Sequence, residues 1–163
     1  MKKIIFLSIF LLVLPLSSAM AEGKGSLTLQ FMAEREIEVF NEKGEIEIKR
    51  VKVSETKTIP GDEVIYTTLY NHVGKDTAEN VVITNAVPEH MIYTDKSAEG
   101  KGTRITFSAD GGKNYDLPSR LKVKEADGRI RSASAADYTH IHWTIDKLNP
   151  GDKGRASFKA RVK

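Results

Sequence analysis

Three features of the sequence predict an all-β protein, an antiparallel β-sandwich of immunoglobulin-like kind. Apolar and polar residues alternate nearly throughout after the first two dozen positions. Turn signals interrupt that alternation at short intervals, and no later stretch repeats with a helical period. Period two places successive side chains on opposite faces of a strand, so each alternating run offers one apolar face for burial. Seven or more such runs separated by turns is the pattern of a sandwich.

The first element is not part of that fold. Lys2 and Lys3 precede an apolar run at 4–16, and Ala19-Met20-Ala21 follows before Glu22. A basic start, a short apolar core and an A-x-A end make a secretory signal peptide, expected to be cleaved after Ala21. The run is short of the ~20 residues of a spanning helix. Residues 1–21 are therefore the expected signal and 22–163 a single domain, with export to the periplasm or the cell exterior. Cleavage removes Lys2 and Lys3 and brings the formal net charge from +3 close to neutral. A near-neutral chain gives no reason to expect a nucleic-acid partner. No later stretch is apolar enough to span a membrane. The chain has no cysteine, which excludes disulfides, thiolate metal sites, a cysteine nucleophile and lipid attachment through cysteine.

Leu27, Leu29 and Phe31 open the alternation, and Ile37 and Val39 continue it against Glu36 and Glu38. The tetrapeptide NEKG, 41–44, signals a hairpin with Ile46 and Ile48 on its second strand. Like residues should oppose one another, which predicts Val39 facing Ile46, Ile37 facing Ile48 and a four-residue loop. The alternation slips at Lys49 and Arg50, predicting a bulge. Residues 23–57 either complete the sandwich or project as a hairpin; completion is preferred, since their apolar positions need cover. Further strands are predicted at 64–70, 81–84, 105–107, 121–123, 141–145 and 156–162. The tripeptide PGD occurs at 60–62 and at 150–152, each time just before a strand. Pro sets φ and Gly accepts the unusual one, so both read as turns.

The segments IPGDEVIYTTLY, GKDTAENVVITNAVPEHMIY and HIHWTIDKLNPGDKGRASFKARV together resemble domain of unknown function eleven, the bacterial surface "conserved repeat domain". The residues that carry the resemblance are Pro60, Gly61, Asp62, Tyr66, Gly74, Ala78, Asn80, Val81, Val82, Pro88, Tyr93, Trp143, Leu148, Pro150 and Gly151. It covers 59–163, loosely between 96 and 137, and departs at His72, where the family's N-x-G turn carries Asn. It implies an immunoglobulin-like sandwich on exported bacterial proteins, and no enzyme activity.

Three places invite a functional reading. SADGGKNY, 108–115, has the S-x-D-x-G-x-x-aromatic spacing of the Asp-box found in sialidases, with Asn114 for Thr and Tyr115 for Trp. Its mechanics are those of a staple: Asp110 accepts N–H bonds across a turn, Gly112 supplies positive φ and Tyr115 packs back. A single box makes neither a propeller nor a glycosidase. In HIHW, 140–143, His140 and His142 point away from the core side taken by Ile141, Trp143 and Ile145. Two imidazoles at i, i+2 can share a metal, but no third ligand is visible nearby, so no metal is expected. In GRASFKARVK, 154–163, Ala156, Phe158, Ala160 and Val162 point inward, while Arg155, Lys159, Arg161 and Lys163 form a basic stripe outward. A hairpin between the last two strands would set that stripe beside the His pair. The plainer reading, which is preferred, is that the basic residues guard an edge strand against unwanted pairing.

No nucleophile elbow, H-E-x-x-H or P-loop is present. The expected protein is therefore a non-enzymatic structural or protein-interaction module of the bacterial envelope, with no cofactor. Its expected partner is a protein, an envelope polymer or a second copy of the chain. His140, His142, Arg155, Lys159 and Arg161 are the candidate partner-binding residues. Two alternatives stand beside it: a binding module for an anionic glycan or a metal on the outward face of the last two strands, and an enzyme with a site on the loops between Glu89 and Asp137.

Overall fold

The computed structural model describes residues 27–163; the expected signal segment lies outside them. Ten strands run through the described residues: β1 Leu27–Phe40, β2 Ile46–Lys52, β3 Glu63–His72, β4 Ala78–Ala86, β5 Met91–Tyr93, β6 Arg104–Ser108, β7 Lys122–Lys124, β8 Ile130–Ser132, β9 His140–Leu148 and β10 Lys153–Val162. Two 3-10 turns, Val53–Glu55 and Ala135–Asp137, are the only helical structure among the described residues. The strands form a five-stranded sheet β2-β1-β3-β10-β5, a three-stranded sheet β4-β9-β6 and the small ribbon β7-β8, with every pairing antiparallel.

The alternation does what period two requires. Val64, Thr68, Tyr70 and His72 on β3 and Ala156, Phe158 and Ala160 on β10 turn one face inward. Ile141, Trp143 and Ile145 on β9 meet them from the three-stranded sheet, and all but Val64, Thr68 and His72 belong to one apolar cluster. Aromatic rings join the two sheets: Trp143 lies 6.3 Å from Phe158 and Tyr93 lies 5.3 Å from Phe107, centroid to centroid. The Trp143 indole N–H, fully buried, donates to the Glu99 carbonyl at 3.0 Å. That bond removes the cost of burying an orphan donor.

The two PGD turns prove to be one device used twice. At each, the Asp N–H donates to the carbonyl three residues back, and the Asp carboxylate accepts that residue's N–H: Asp62 with Ile59, Asp152 with Asn149. Gly61 and Gly151 sit at φ 93° and 84°, where a side chain would be strained. Gly61 N–H donates to the Val162 carbonyl, and Gly151 N–H to the His72 carbonyl. One turn thus closes each end of the β3–β10 ladder. In β4, Asn80 takes φ 52°, a left-handed conformation that Asn tolerates better than most residues.

The structure corrects several expectations. Val39 faces Glu47, not Ile46, and Ile37 faces Lys49, not Ile48. The loop is one residue longer, because the Asn41 side chain accepts from the N–H groups of Lys43 and Glu45 while Asn41 N–H donates to the Glu45 carbonyl. Turn chemistry sets this register because neither face of the hairpin is buried: Phe40, Ile46 and Ile48 are 77%, 62% and 64% exposed. For the same reason the pairing runs without a bulge through Lys49 and Arg50. Residues 27–34 of β1 pair with β3 and do complete the sheet, whereas the rest of β1 pairs only with β2 and forms a projecting arm. Arg35 ties its base to Asp62 at 2.9 Å and to the Lys57 carbonyl at 2.8 Å.

The chain also changes sheet between consecutive strands. β3 and β4 lie in different sheets, and so do β9 and β10, so the last two strands form no hairpin. β10 is not an edge strand, being held between β3 and β5.

Gly154 lies opposite Tyr70 in the ladder, and the Tyr70 ring crosses it so closely that an added Cβ would fall 2.8 Å from Cε2 and nearer still to Cζ and the hydroxyl. A buried ring has little room to retreat. Gly154→Ala is expected to lower stability by about 1–3 kcal/mol, read from the urea midpoint. Adding Tyr70→Leu should recover part of that loss; strictly additive losses would show that the ring is not the obstacle.

Candidate functional site

The residues singled out by the sequence fall on two outer faces. On the three-stranded sheet, His142 sits between Thr84 of β4 and Thr106 of β6, and His140 between Ala86 and Ser108. Both point away from the core, as alternation requires, yet neither stands free in solvent. The 108–115 loop folds over them, and the Tyr115 ring stacks on His142 at 9° between planes.

That loop is shaped by two small side chains. Ser108, wholly buried, donates its hydroxyl to Asp110 at 2.7 Å and accepts the Gly112 N–H at 2.9 Å. Asp110 Oδ1 then accepts from Lys113 and Asn114 N–H at 3.1 and 3.0 Å, and Oδ2 from the Asn114 amide at 2.7 Å. These bonds, the Asn114 N–H first, hold the Asp110 carboxyl well below the usual carboxylate range. Phe107 and Asp116 exchange both backbone bonds, closing the loop as a hairpin. Gly112 at φ 83° passes over the His140 ring, where a Cβ would come within 3.4 Å. The expected staple is therefore present, and its load is the His pair. Burial, then the charge on His140, lowers the His142 pKa from its ordinary value. Among the described residues no three His, Cys, Asp or Glu side chains converge, and the His pair alone offers two of the four ligands that zinc usually takes.

Arg155, Lys159 and Arg161 lie on the other side of the molecule, on the outer face of the five-stranded sheet. The structure does not bring them beside His140 and His142. Lys159 is engaged already, with Nζ 2.9 Å from Glu63, whose second oxygen accepts from Thr94 at 3.1 Å. The Glu63 bond raises the Lys159 pKa; burial raises that of Glu63, but the Lys159 and Thr94 bonds outweigh it and leave it lowered. Arg155 and Arg161 are exposed and form no ion pair among the described residues.

The loops between Glu89 and Asp137 hold a second tight carboxylate. Asp137 receives Arg131 bidentately at 2.7 Å to each oxygen and also caps the 3-10 turn through Ser134. Arg131 reaches Glu125 as well, at 3.0 Å. Carboxylates saturated in this way are held ionised, so they are poor general acids.

Sequence reasoning missed an apolar groove of about 450 Å³ between β1 and β3 on one side and β4 on the other, lined by Phe31, Ala33, Tyr66, Asn85, Ala86 and Pro88. Thr68 and Asn85 bond to each other there, at 2.9 and 3.1 Å, linking the two sheets. Among the described residues β4 pairs only with β9, which leaves its other edge unpaired. The signal was present in Leu29 and Phe31, which alternate correctly but remain 45% and 67% exposed because the smaller sheet does not extend over β1. Comparisons with protein-family models, with curated proteins and with solved structures returned no match.

Tyr115 is what covers His142, so Tyr115→Ala is expected to bring the His142 pKa up towards its ordinary 6.5 in an NMR titration. Asp110→Ala, which releases the loop, should act in the same direction. The sign for stability follows. With the folded pKa lowered, the unfolded chain takes up the proton first as pH falls, so the His142 contribution is whole above about 6.5 and is lost below it. Urea midpoints should therefore decline more steeply with falling pH in the parent than in Tyr115→Ala. An unchanged His142 titration in both variants would sink the covering role of the loop.

Proposed function

We propose that this chain is an exported, non-enzymatic structural or protein-interaction module of the bacterial cell envelope, built as an immunoglobulin-like sandwich of the conserved-repeat-domain kind. The observation that carries the reading is the β1–β2 arm, which among the described residues leaves Phe40, Ile46 and Ile48 uncovered and β2 unpaired along one edge. A strand edge with apolar side chains on an outlying ribbon is suited to strand addition and to covering by a partner. The signal-type pattern at 1–21 supports export. The resemblance gains support from the motif positions: both PGD turns, Tyr66, Tyr93 and Trp143 serve the ladder or the core.

A second reading, recognition of an anionic glycan, is favoured by Arg155 and Arg161, which have no acidic partner among the described residues. Recognition of a metal by His140 and His142 has no comparable support.

Fractionation of native cells, with a photo-crosslinking residue at position 40 or 48, tests the principal reading. The chain is expected in the exported fraction, beginning at Glu22, with a discrete cross-linked species that disappears in Phe40→Ser with Ile46→Ser. Those two exposed substitutions should change the thermal midpoint little, since surface changes typically stay within about 0.5 kcal/mol. A product formed only with itself would identify self-assembly; retention in the cytoplasm, or an arm that cross-links to nothing, would count against the reading.

A further inference from the structure

We infer that a furrow at the β10 end of the five-stranded sheet binds an acidic polysaccharide, through Lys101, Lys153 and Arg155. Two adjoining clefts make the furrow. One, of about 450 Å³, is lined by Tyr70, Glu99, Gly100, Lys101, Gly154 and Arg155 along with Lys153. The other, of about 500 Å³, shares Tyr70, Lys153 and Gly154 with it and continues past Thr28, Gln30 and Asn71.

Charge selects the class of ligand. Lys101, Lys153 and Arg155 are exposed, and none forms an ion pair among the described residues, although ten such pairs exist between other residues of that set. Glu99 lines the first cleft and Asp152 acts electrostatically on Tyr70, so cations outnumber acids around the furrow. Cations left in excess along a concave surface attract anions more strongly than the same charges spread on a flat one.

Shape selects a chain rather than a free ion. The two clefts together are longer than a free ion needs, and at Gly100 and Gly154 neighbouring side chains pack too closely on the backbone for any side chain to fit. A Cβ at Gly100 would fall 2.7 Å from the Trp143 ring, and one at Gly154 would run into Tyr70. The second cleft supplies hydroxyl and amide groups from Thr28, Gln30 and Asn71 beside the apolar Leu69. Cations at one end and neutral hydrogen-bonding groups with an apolar side chain at the other match a polyhydroxyl chain bearing carboxylate or sulfate groups. The furrow lies off the β1–β2 arm and binds its ligand whether or not the arm meets a protein.

Equilibrium titrations of the purified protein with polygalacturonate, dextran sulfate, neutral dextran and inorganic sulfate test this. One or both charged polymers should bind, and which of them does tells carboxylate from sulfate recognition. Lys101→Gln with Lys153→Gln and Arg155→Gln should weaken that binding about tenfold, the loss expected of three exposed ion pairs removed together, with an unchanged thermal midpoint. Lys43→Gln with Lys122→Gln and Lys124→Gln removes the same charge elsewhere and should leave the affinity intact. Equal weakening by both triple variants, or no weakening by either, overturns the site. Binding of neutral dextran as tightly as of the charged polymers overturns the role of charge. Full competition by inorganic sulfate at equal charge reduces the site to one for a free anion and overturns the polymer. Absence of any charged-polymer binding overturns the proposal while leaving the arm's cross-linking untouched.

Discussion

The ladder between β3 and β10 runs through nine residue pairs, from Glu63–Arg161 to Asn71–Lys153, and most of the molecule is positioned by it. Its inner face supplies Tyr66, Tyr70, Ala156, Phe158 and Ala160 to the core. Its two ends are closed by the same four-residue turn, once before β3 and once before β10, each bonded to the far end of the other strand. Antiparallel strands closed at both ends have little freedom to slip, and slippage by one residue would turn Phe158 to solvent and Lys159 inward. β1 and β5 then add at the flanks, and Tyr70 can cross the ladder only because Gly154 has no side chain.

An unequal pair of sheets follows, and part of the larger one is left uncovered. Five strands face three, so the inner side of β1 extends past the smaller sheet and leaves Leu29 and Phe31 partly in water. Beyond Glu34 the strand loses β3 as well and continues as a two-stranded arm. Two strands with both faces wet have no core of their own, so that arm depends on its Asn41 turn, on its cross-strand pairs such as Glu36–Arg50 at 3.0 Å, and on Arg35 at its base.

Away from the core, short-range hydrogen bonding does the shaping. Ser108 and Asp110 build one loop and Ser134 and Asp137 anchor another, each around an ionised carboxylate that gathers N–H groups or an arginine. The first loop determines how far His142 is covered. His72 accepts the Gly74 N–H at Nδ1, while its buried Nε2 has no partner among the described residues.

By itself the sequence determined which faces are apolar, where the chain turns and how the 108–115 loop is stapled. These depend on local terms: side-chain period, the φ that Pro and Gly permit, and acceptors two to four residues from their donors. Tyr115 was expected to pack back and does, but its landing place on His142 belongs to a different strand and was not legible. Only tertiary structure decided which strands are neighbours, because alternation specifies an apolar side without specifying a partner. It therefore separated His140 and His142 from Arg155 and Arg161, and it enclosed β10 between two strands. In the hairpin at 41–45 the apolar pattern pointed to the wrong register, since burial cannot select a face when neither is buried. Lys101, Lys153 and Arg155 meet for the converse reason: the Glu99–Ser157 bridge lays a distant loop against the start of β10, and no spacing in the chain announces such a contact.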